Sequence, residues 1–136
     1  MFESKKEVKG NFNLEKVWKL YENVERWAEW DGSLEKASLE GKFIVGSSGV
    51  MTTIGMPEMP FTLIEVTKGN SFTTKSVVGP FEIEVSHKLT KLSEVSSVIE
   101  HGVTVKGPDS EKVTQIGSGI AHSFTSALDK LGALSI

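Results

Sequence analysis

The segment from residue 34 to residue 106 constrains the fold most strongly, because it has no helical repeat and many β-favouring runs. Turn residues separate these runs at roughly the 8–12-residue spacing that is typical of an antiparallel sheet. We expect strands near residues 34–40, 48–55, 61–67, 71–78, 81–90 and 95–106. The prolines of GMPEMP, residues 55–60, predict a loop at the rim of the sheet.

Helical patterns lie on both sides of this segment. In NLEKVWKLYE, residues 13–22, the apolar side chains share one face and Asn13 is a suitable N-cap, so we expect a helix there. A second short helix is predicted over residues 24–30. Beyond Pro108, apolar residues recur at helical spacing for about twenty residues, which predicts one long amphipathic helix.

Two further features complete the pattern of elements. Gly117 and Gly119 fall within the long helical pattern, where we expect kinks or a close approach of another backbone. Residues 2–9 alternate loosely between apolar and charged side chains, which predicts a short, charged edge strand.

These elements predict an α+β fold in which a long C-terminal helix crosses the apolar face of an antiparallel sheet of about seven strands. A chain of 136 residues fits a single domain, residues 1–136. One helix is narrow for so wide a sheet. If the sheet curls around it, either large side chains or a cavity must fill the space between them.

Composition excludes several classes of function. The net charge is −3 and the lysines are scattered, so we expect no nucleic-acid partner. The absence of cysteine excludes disulfides, thiolate metal sites and cysteine nucleophiles. No apolar run approaches the roughly 20 residues that cross a bilayer, and the amino terminus lacks the apolar stretch of a signal peptide. We expect a cytoplasmic protein without stable membrane insertion, and a homodimer is possible.

Two histidines fall on the predicted apolar face of the sheet. Strict alternation in FEIEVSHKL, residues 81–89, places His87 on that face, and the next strand places His101 there. The apolar residues that share this face are Phe81, Ile83, Val85, Leu89, Ile99, Val103 and Val105. A turn near Leu92-Ser93 brings the two histidines together, and we expect a diagonal pair with Cβ atoms ~7 Å apart. Each histidine could instead be a hydrogen-bonded core residue.

A carboxylate is expected on the same face. Glu65 shares the parity of Phe61 and Leu63, and a buried carboxylate needs a histidine, water or a ligand as its partner. An apolar face with a few polar groups is typical of a small-molecule pocket. No spacing of ligands indicates a metal site, and His122 falls on the polar side of the last helix.

Several motifs resemble those of one known family. VWKLYENVERWAEWDGSLEKASLEGKF (17–43), VGSSGVMT (45–52), PFTLIEV (60–66) and SFTTKSV (71–77) are similar to the polyketide cyclase/dehydrase and lipid-transport family. That family belongs to the START-like (SRPBCC, birch-pollen-allergen-like) helix-grip superfamily. The resemblance implies a curved sheet that grips the long helix around a cavity for apolar or aromatic ligands. None of the matching motifs is catalytic, so no acid–base set is carried over.

The resemblance also places the tryptophans of VERWAEWDG, residues 24–32. It puts Trp27 and Trp30 between the short helices and the sheet, where we expect them mainly to plug one end of the structure. Trp30 is in addition a candidate ligand contact. Phe12-Asn13 and Asn23 depart from the family's usual Ala-Pro and Asp, without affecting the predicted fold.

Binding of a small apolar or aromatic ligand, lipid- or polyketide-like, is the first functional hypothesis. His87 and His101 would form hydrogen bonds with a carbonyl or hydroxyl group of the ligand, and no cofactor is expected. The residues expected to line the cavity are Trp30, Phe61, Leu63, Phe72, Phe81, Ile83, Val85, Ile99, Val103, Ile120 and Phe124.

Two alternatives stay open. In a cyclase or dehydratase, His87 or His101 would abstract a proton next to a carbonyl, and Glu65 would orient the imidazole or return the proton. In a protein-interaction module, the cavity would be filled and a large apolar patch would be exposed instead.

Overall fold

The computed structural model, which describes residues 1–136, contains seven strands and three helical segments. The strands are β1 (Phe2–Gly10), β2 (Leu34–Leu39), β3 (Ser48–Thr53), β4 (Glu58–Thr67), β5 (Ser71–Val78), β6 (Phe81–Ser93) and β7 (Ser96–Lys106). The helical segments are α1 (Leu14–Glu22), a 3₁₀ helix (Val24–Glu29) and α2 (Ser110–Leu134). All strands pair antiparallel in the order β1-β7-β6-β5-β4-β3-β2. The predicted α+β helix-grip architecture is confirmed.

The sheet curls around an interior that helices cover from two sides. α2 packs on β1 and β7, and the 3₁₀ helix packs on β2. α1 begins at the predicted cap, where the Asn13 side chain accepts a hydrogen bond from the backbone N–H of Lys16 (3.2 Å). No helix combines the length and the hydrophobicity that a bilayer crossing requires.

Pro60 belongs to β4, which begins at Glu58, so the prediction of a loop over residues 55–60 is wrong in its second half. Pro60 pairs with Val50 of β3, whereas the pairing of β4 with β5 begins only at Thr62. Proline is tolerated at such a position because the strand has a hydrogen-bonded neighbour on one side only.

The two glycines of the long helical pattern do not interrupt α2, which runs unbroken through both. A Cβ at Gly117 would overlap the aromatic ring of Phe2, so glycine lets α2 lie close against β1. A Cβ at Gly119 would meet nothing within 4 Å.

All the predicted lining residues face the interior. Those that are buried are Trp30, Phe61, Leu63, Phe72, Ile83, Ile99, Val103 and Phe124. Those that are partly buried against this core are Phe81, Val85 and Ile120. Trp27 is buried as well, as expected for a residue that anchors the short helices to the sheet.

Candidate functional site

The two histidines face each other directly across β6 and β7, with ring centroids 4.7 Å apart. The expected diagonal arrangement is therefore wrong. The hairpin closes at Ser93 and Ser96, and a regular ladder from that pair would place His87 opposite Gly102. An irregularity between Lys91 and Ser93 shifts the register by one residue and brings His87 opposite His101.

A tyrosine from α1 completes the polar cluster. The Tyr21 hydroxyl lies 2.8 Å from Nε2 of His101, within the buried interior. Nδ1 of His87 donates to the backbone carbonyl of Phe72 (3.2 Å), so in the neutral ring Nε2 of His87 is an acceptor. Neither Nε2 of His87 nor Nδ1 of His101 forms a hydrogen bond with another protein group. Each ring thus keeps one nitrogen free for a further partner.

Aromatic side chains surround these polar groups. Phe72 stacks on His87 with ring centroids 3.9 Å apart and an interplanar angle of 5°. Trp30 and Phe124 lie against His101, with centroid distances of 5.7 Å and 5.6 Å respectively. The cluster is therefore held in place by aromatic packing from the sheet, from Trp30 at the end of the 3₁₀ helix, and from α2.

Two indole N–H groups in this region are buried without a partner. Nε1 of Trp18 and Nε1 of Trp30 form no hydrogen bond. The third tryptophan differs, because the indole N–H of Trp27 donates to the backbone carbonyl of Tyr21 (2.9 Å). A buried donor without an acceptor costs about 1–3 kcal/mol, so these two N–H groups are exceptions within a well-packed interior.

Burial keeps the polar cluster uncharged. It lowers the pKa of His87 to about 3, against the opposing effect of the hydrogen bond to the Phe72 carbonyl. Burial and the neighbouring His87 hold the pKa of His101 well below its usual value. Burial raises the pKa of Tyr21 well above 10. At neutral pH the interior therefore offers neutral donors and acceptors.

Glu65 does not join the histidines, so its expected inward position is wrong. A bulge between Leu63 and Glu65 reverses the parity of β4. Its carboxylate accepts hydrogen bonds from Thr67 (2.8 Å), Ser71 (2.9 Å) and Thr73 (3.4 Å). No group of three or more potential metal ligands is found around the histidines or elsewhere.

Sequence reasoning missed three polar residues of the interior. Tyr21 lies on the predicted apolar face of α1. That position was the available signal, because a buried tyrosine hydroxyl usually needs a hydrogen-bond partner. Thr74 and Ser76 alternate with Phe72 on the inner face of β5, and each is only 3% exposed. Their alternation in SFTTKSV was the signal, because it places two hydroxyls on an otherwise apolar face.

The interior has a closed half and a more accessible half. Around the histidines, Phe72, Trp27 and Trp30 are at most 3% exposed. Farther along the strands, towards the start of α2, several apolar residues that pack on the core are only partly buried. These residues are Met51, Met59, Phe81, Val85, Ile116 and Ile120. The packing is therefore loosest between β4–β6 and the first half of α2.

No protein-family model matches the sequence, and no curated protein is similar to it. Solved structures do match. XoxI from Bacillus cereus superposes with a TM-score of 0.79 at 12% identity, over 99% of this chain and 96% of that one. Norcoclaurine synthase from Thalictrum flavum gives a TM-score of 0.74 at 14% identity, over 98% of this chain and 92% of that one.

The di-domain ARO/CYC protein BexL gives a TM-score of 0.77 at 11% identity, over 98% of this chain. The chain has the START-like helix-grip fold. At these identities the likeness establishes the fold alone, and the resemblance predicted from the sequence is confirmed at that level. The match covers 46% of BexL, which is a longer, di-domain protein.

Proposed function

We propose that this protein binds a small, uncharged, mainly aromatic or apolar molecule between the sheet and α2, with a hydroxyl or carbonyl group directed at the histidine pair. The observation that carries the proposal is the set of free polar atoms in one aromatic interior. The indole N–H groups of Trp18 and Trp30 and one nitrogen on each of His87 and His101 have no protein partner. The two indole nitrogens are fully buried, and native interiors rarely keep such donors unpaired.

The chemistry of these atoms favours a hydroxyl group. Nε2 of His87 can accept a hydrogen bond and the indole N–H of Trp30 can donate one. A hydroxyl can satisfy both, whereas a carbonyl can satisfy only the donor. A charged ligand is disfavoured because no lysine, arginine, aspartate or glutamate is buried with the histidines to balance its charge.

Structures with the same fold support an aromatic ligand. Norcoclaurine synthase from Thalictrum flavum has been solved in complex with dopamine and hydroxybenzaldehyde, and that structure matches this chain with a TM-score of 0.72. The partly buried residues towards the start of α2 offer apolar walls to such a ligand.

A cyclase or dehydratase has less support as the second candidate. Proton abstraction at neutral pH needs a base whose pKa lies near 7, and burial lowers the pKa of His87 to about 3. Glu65, the carboxylate that would orient the imidazole or return the proton, lies on the other face of the sheet. The Tyr21–His101 pair is the acid–base pair that a catalytic role would have to use.

Calorimetric titration with two matched probes, 2-naphthol and naphthalene, tests the proposal. We expect wild type to bind 2-naphthol more tightly than naphthalene. Trp30→Phe keeps an aromatic ring but removes the free N–H, so it should weaken 2-naphthol about fivefold, the equivalent of one hydrogen bond, and affect naphthalene little.

The matched control is Trp27→Phe, which removes an indole N–H that is already satisfied by the Tyr21 carbonyl. We expect it to lower stability without changing the ratio of the two affinities. Equal binding of the two probes by wild type, or no binding of either, contradicts the proposal.

A further inference from the structure

Thr74 and Ser76 form a second polar position on the inner face of β5. Thr74 pairs with Leu63 of β4 and Val85 of β6, and Ser76 pairs with Ile83 of β6. The neighbours that share the inner face are therefore aliphatic. Each residue is 3% exposed.

Neither hydroxyl has a hydrogen-bond partner in the protein. The buried serines elsewhere do: Ser97 Oγ donates to the backbone carbonyl of Gly10 (3.2 Å), and Ser135 Oγ donates to that of Gly132 (2.9 Å). On the opposite face of β5, the hydroxyls of Ser71 and Thr73 bind Glu65. The inward pair on β5 is thus the exception among the hydroxyls of its own strand. Its oxygen atoms are not completely enclosed, because the fully enclosed unpaired side-chain atoms are the indole nitrogens of Trp18 and Trp30 alone.

Strand geometry fixes the spacing between this position and the histidine pair. His87 pairs with Phe72, so the histidines lie level with Phe72 on the sheet. Residues two apart on a strand are separated by ~6.7 Å. Along β5, Thr74 therefore lies roughly 7 Å and Ser76 roughly 13 Å from Phe72, the residue that pairs with His87. Val85 and Ile83 lie beside these hydroxyls on β6 and supply apolar surface between the two polar positions.

We propose that Thr74 and Ser76 form a second polar subsite, which binds an oxygen at the far end of an elongated ligand whose first hydroxyl or carbonyl faces the histidines. This inference rests on the proposed function and narrows it to ligands that carry oxygen at both ends of an apolar body. Specificity follows because a ligand without the second oxygen covers these hydroxyls without forming a hydrogen bond with them, which costs binding free energy.

Calorimetric titration with 2-naphthol and 2,6-dihydroxynaphthalene tests the subsite, because the second probe adds one hydroxyl at the opposite end of the same ring system. We expect wild type to bind the diol about fivefold or more tightly than 2-naphthol. In the double variant Thr74→Val/Ser76→Ala the two affinities should become equal, because no hydroxyl remains there to bind the second oxygen.

Thr73→Val is the matched control, since it removes a threonine hydroxyl from the outer face of the same strand. The preference for the diol should persist in this variant. Thermal unfolding of all three proteins without ligand shows whether each is folded, and the single variants Thr74→Val and Ser76→Ala replace the double variant if it is not.

The outcomes separate the two proposals. If wild type binds 2-naphthol and Trp30→Phe weakens it, but the diol gains nothing, the subsite is wrong and the proposed function stands. The subsite proposal is also overturned if the variants of Thr74 and Ser76 prefer the diol over 2-naphthol as strongly as wild type does. If wild type binds neither probe, both proposals fail.

Discussion

His87 lies directly opposite His101 in the β6–β7 ladder, and their rings approach to 4.7 Å between centroids inside an aromatic interior. Two titratable rings so close together and so deeply buried stay neutral, because a proton on either one would face desolvation and the other ring. The pair therefore supplies neutral hydrogen-bonding atoms to the interior.

Stability should fall as the pH is lowered from about 6.5 towards 3. The unfolded chain takes up a proton on His87 near pH 6.5, whereas burial lowers the pKa in the folded state to about 3. Between these values the unfolded state binds more protons, so the free energy of unfolding decreases with decreasing pH. His101 acts in the same direction, because its pKa is also lowered.

Urea unfolding of wild type and His87→Phe at pH 7.5, 6.0 and 4.5 measures this effect. Phenylalanine can keep the stack on Phe72 but cannot take up a proton. We expect wild type to lose a few kcal/mol more than the variant over this range. Equal losses in the two proteins would show that His87 does not titrate as its burial requires.

Tyr21→Phe should destabilise the protein by about 1–3 kcal/mol, because it leaves Nε2 of His101 buried without its 2.8 Å partner. A double-mutant cycle with His101→Leu isolates that interaction. In the His101→Leu background the same Tyr21→Phe change should cost clearly less. Additive effects in the unfolding free energies would indicate that the pair is not coupled.

Thr74→Val should be neutral or stabilising without ligand, because valine has the same shape and removes an inward hydroxyl that forms no hydrogen bond within the protein. The contrasting variant is Ser97→Ala. Ser97 is equally buried but accepts from the backbone N–H of Phe12 (3.2 Å) and donates to the Gly10 carbonyl (3.2 Å). We expect Ser97→Ala to cost about 1–2 kcal/mol in urea unfolding. A comparable loss for Thr74→Val would mean that its hydroxyl is satisfied within the protein.

Gly117→Ala and Gly119→Ala should have opposite effects on stability. Alanine at position 119 gains ~1 kcal/mol of helix propensity and meets no neighbour within 4 Å. Alanine at position 117 gains the same propensity but pushes its Cβ into the ring of Phe2, which should cost more than the gain. Thermal unfolding of the two variants checks the sign of each change. If both are stabilised, α2 does not lie as close to β1 as described.

The fold was predictable because its signals are local and repeated. Alternation along FEIEVSHKL placed every residue of that strand on the correct face, His87 included. The long helix followed from apolar spacing that continues through both glycines. The side-chain period within one helix or strand determines which of its residues share a face, so these predictions do not depend on how neighbouring elements pack.

The details of the site depended on single-residue irregularities that leave little trace in the sequence. The bulge after Leu63 turns Glu65 to the outer face, and the irregularity before Ser93 sets His87 opposite His101. The Tyr21–His101 contact joins residues 80 apart in the chain, so no local pattern could pair them. The histidines were predictable as inward residues, but their partners were not.

The most direct test of the proposed interior site is the indole region of a ¹H–¹⁵N NMR spectrum recorded during titration with 2-naphthol. The chain has three tryptophans, so three indole N–H signals are expected, and the Trp→Phe variants assign them. If the ligand oxygen accepts from the free donor, the Trp30 signal moves downfield, while the Trp27 signal, whose N–H already binds the Tyr21 carbonyl, moves little. Saturating 2-naphthol with no movement of the Trp30 signal would contradict binding at the histidine pair.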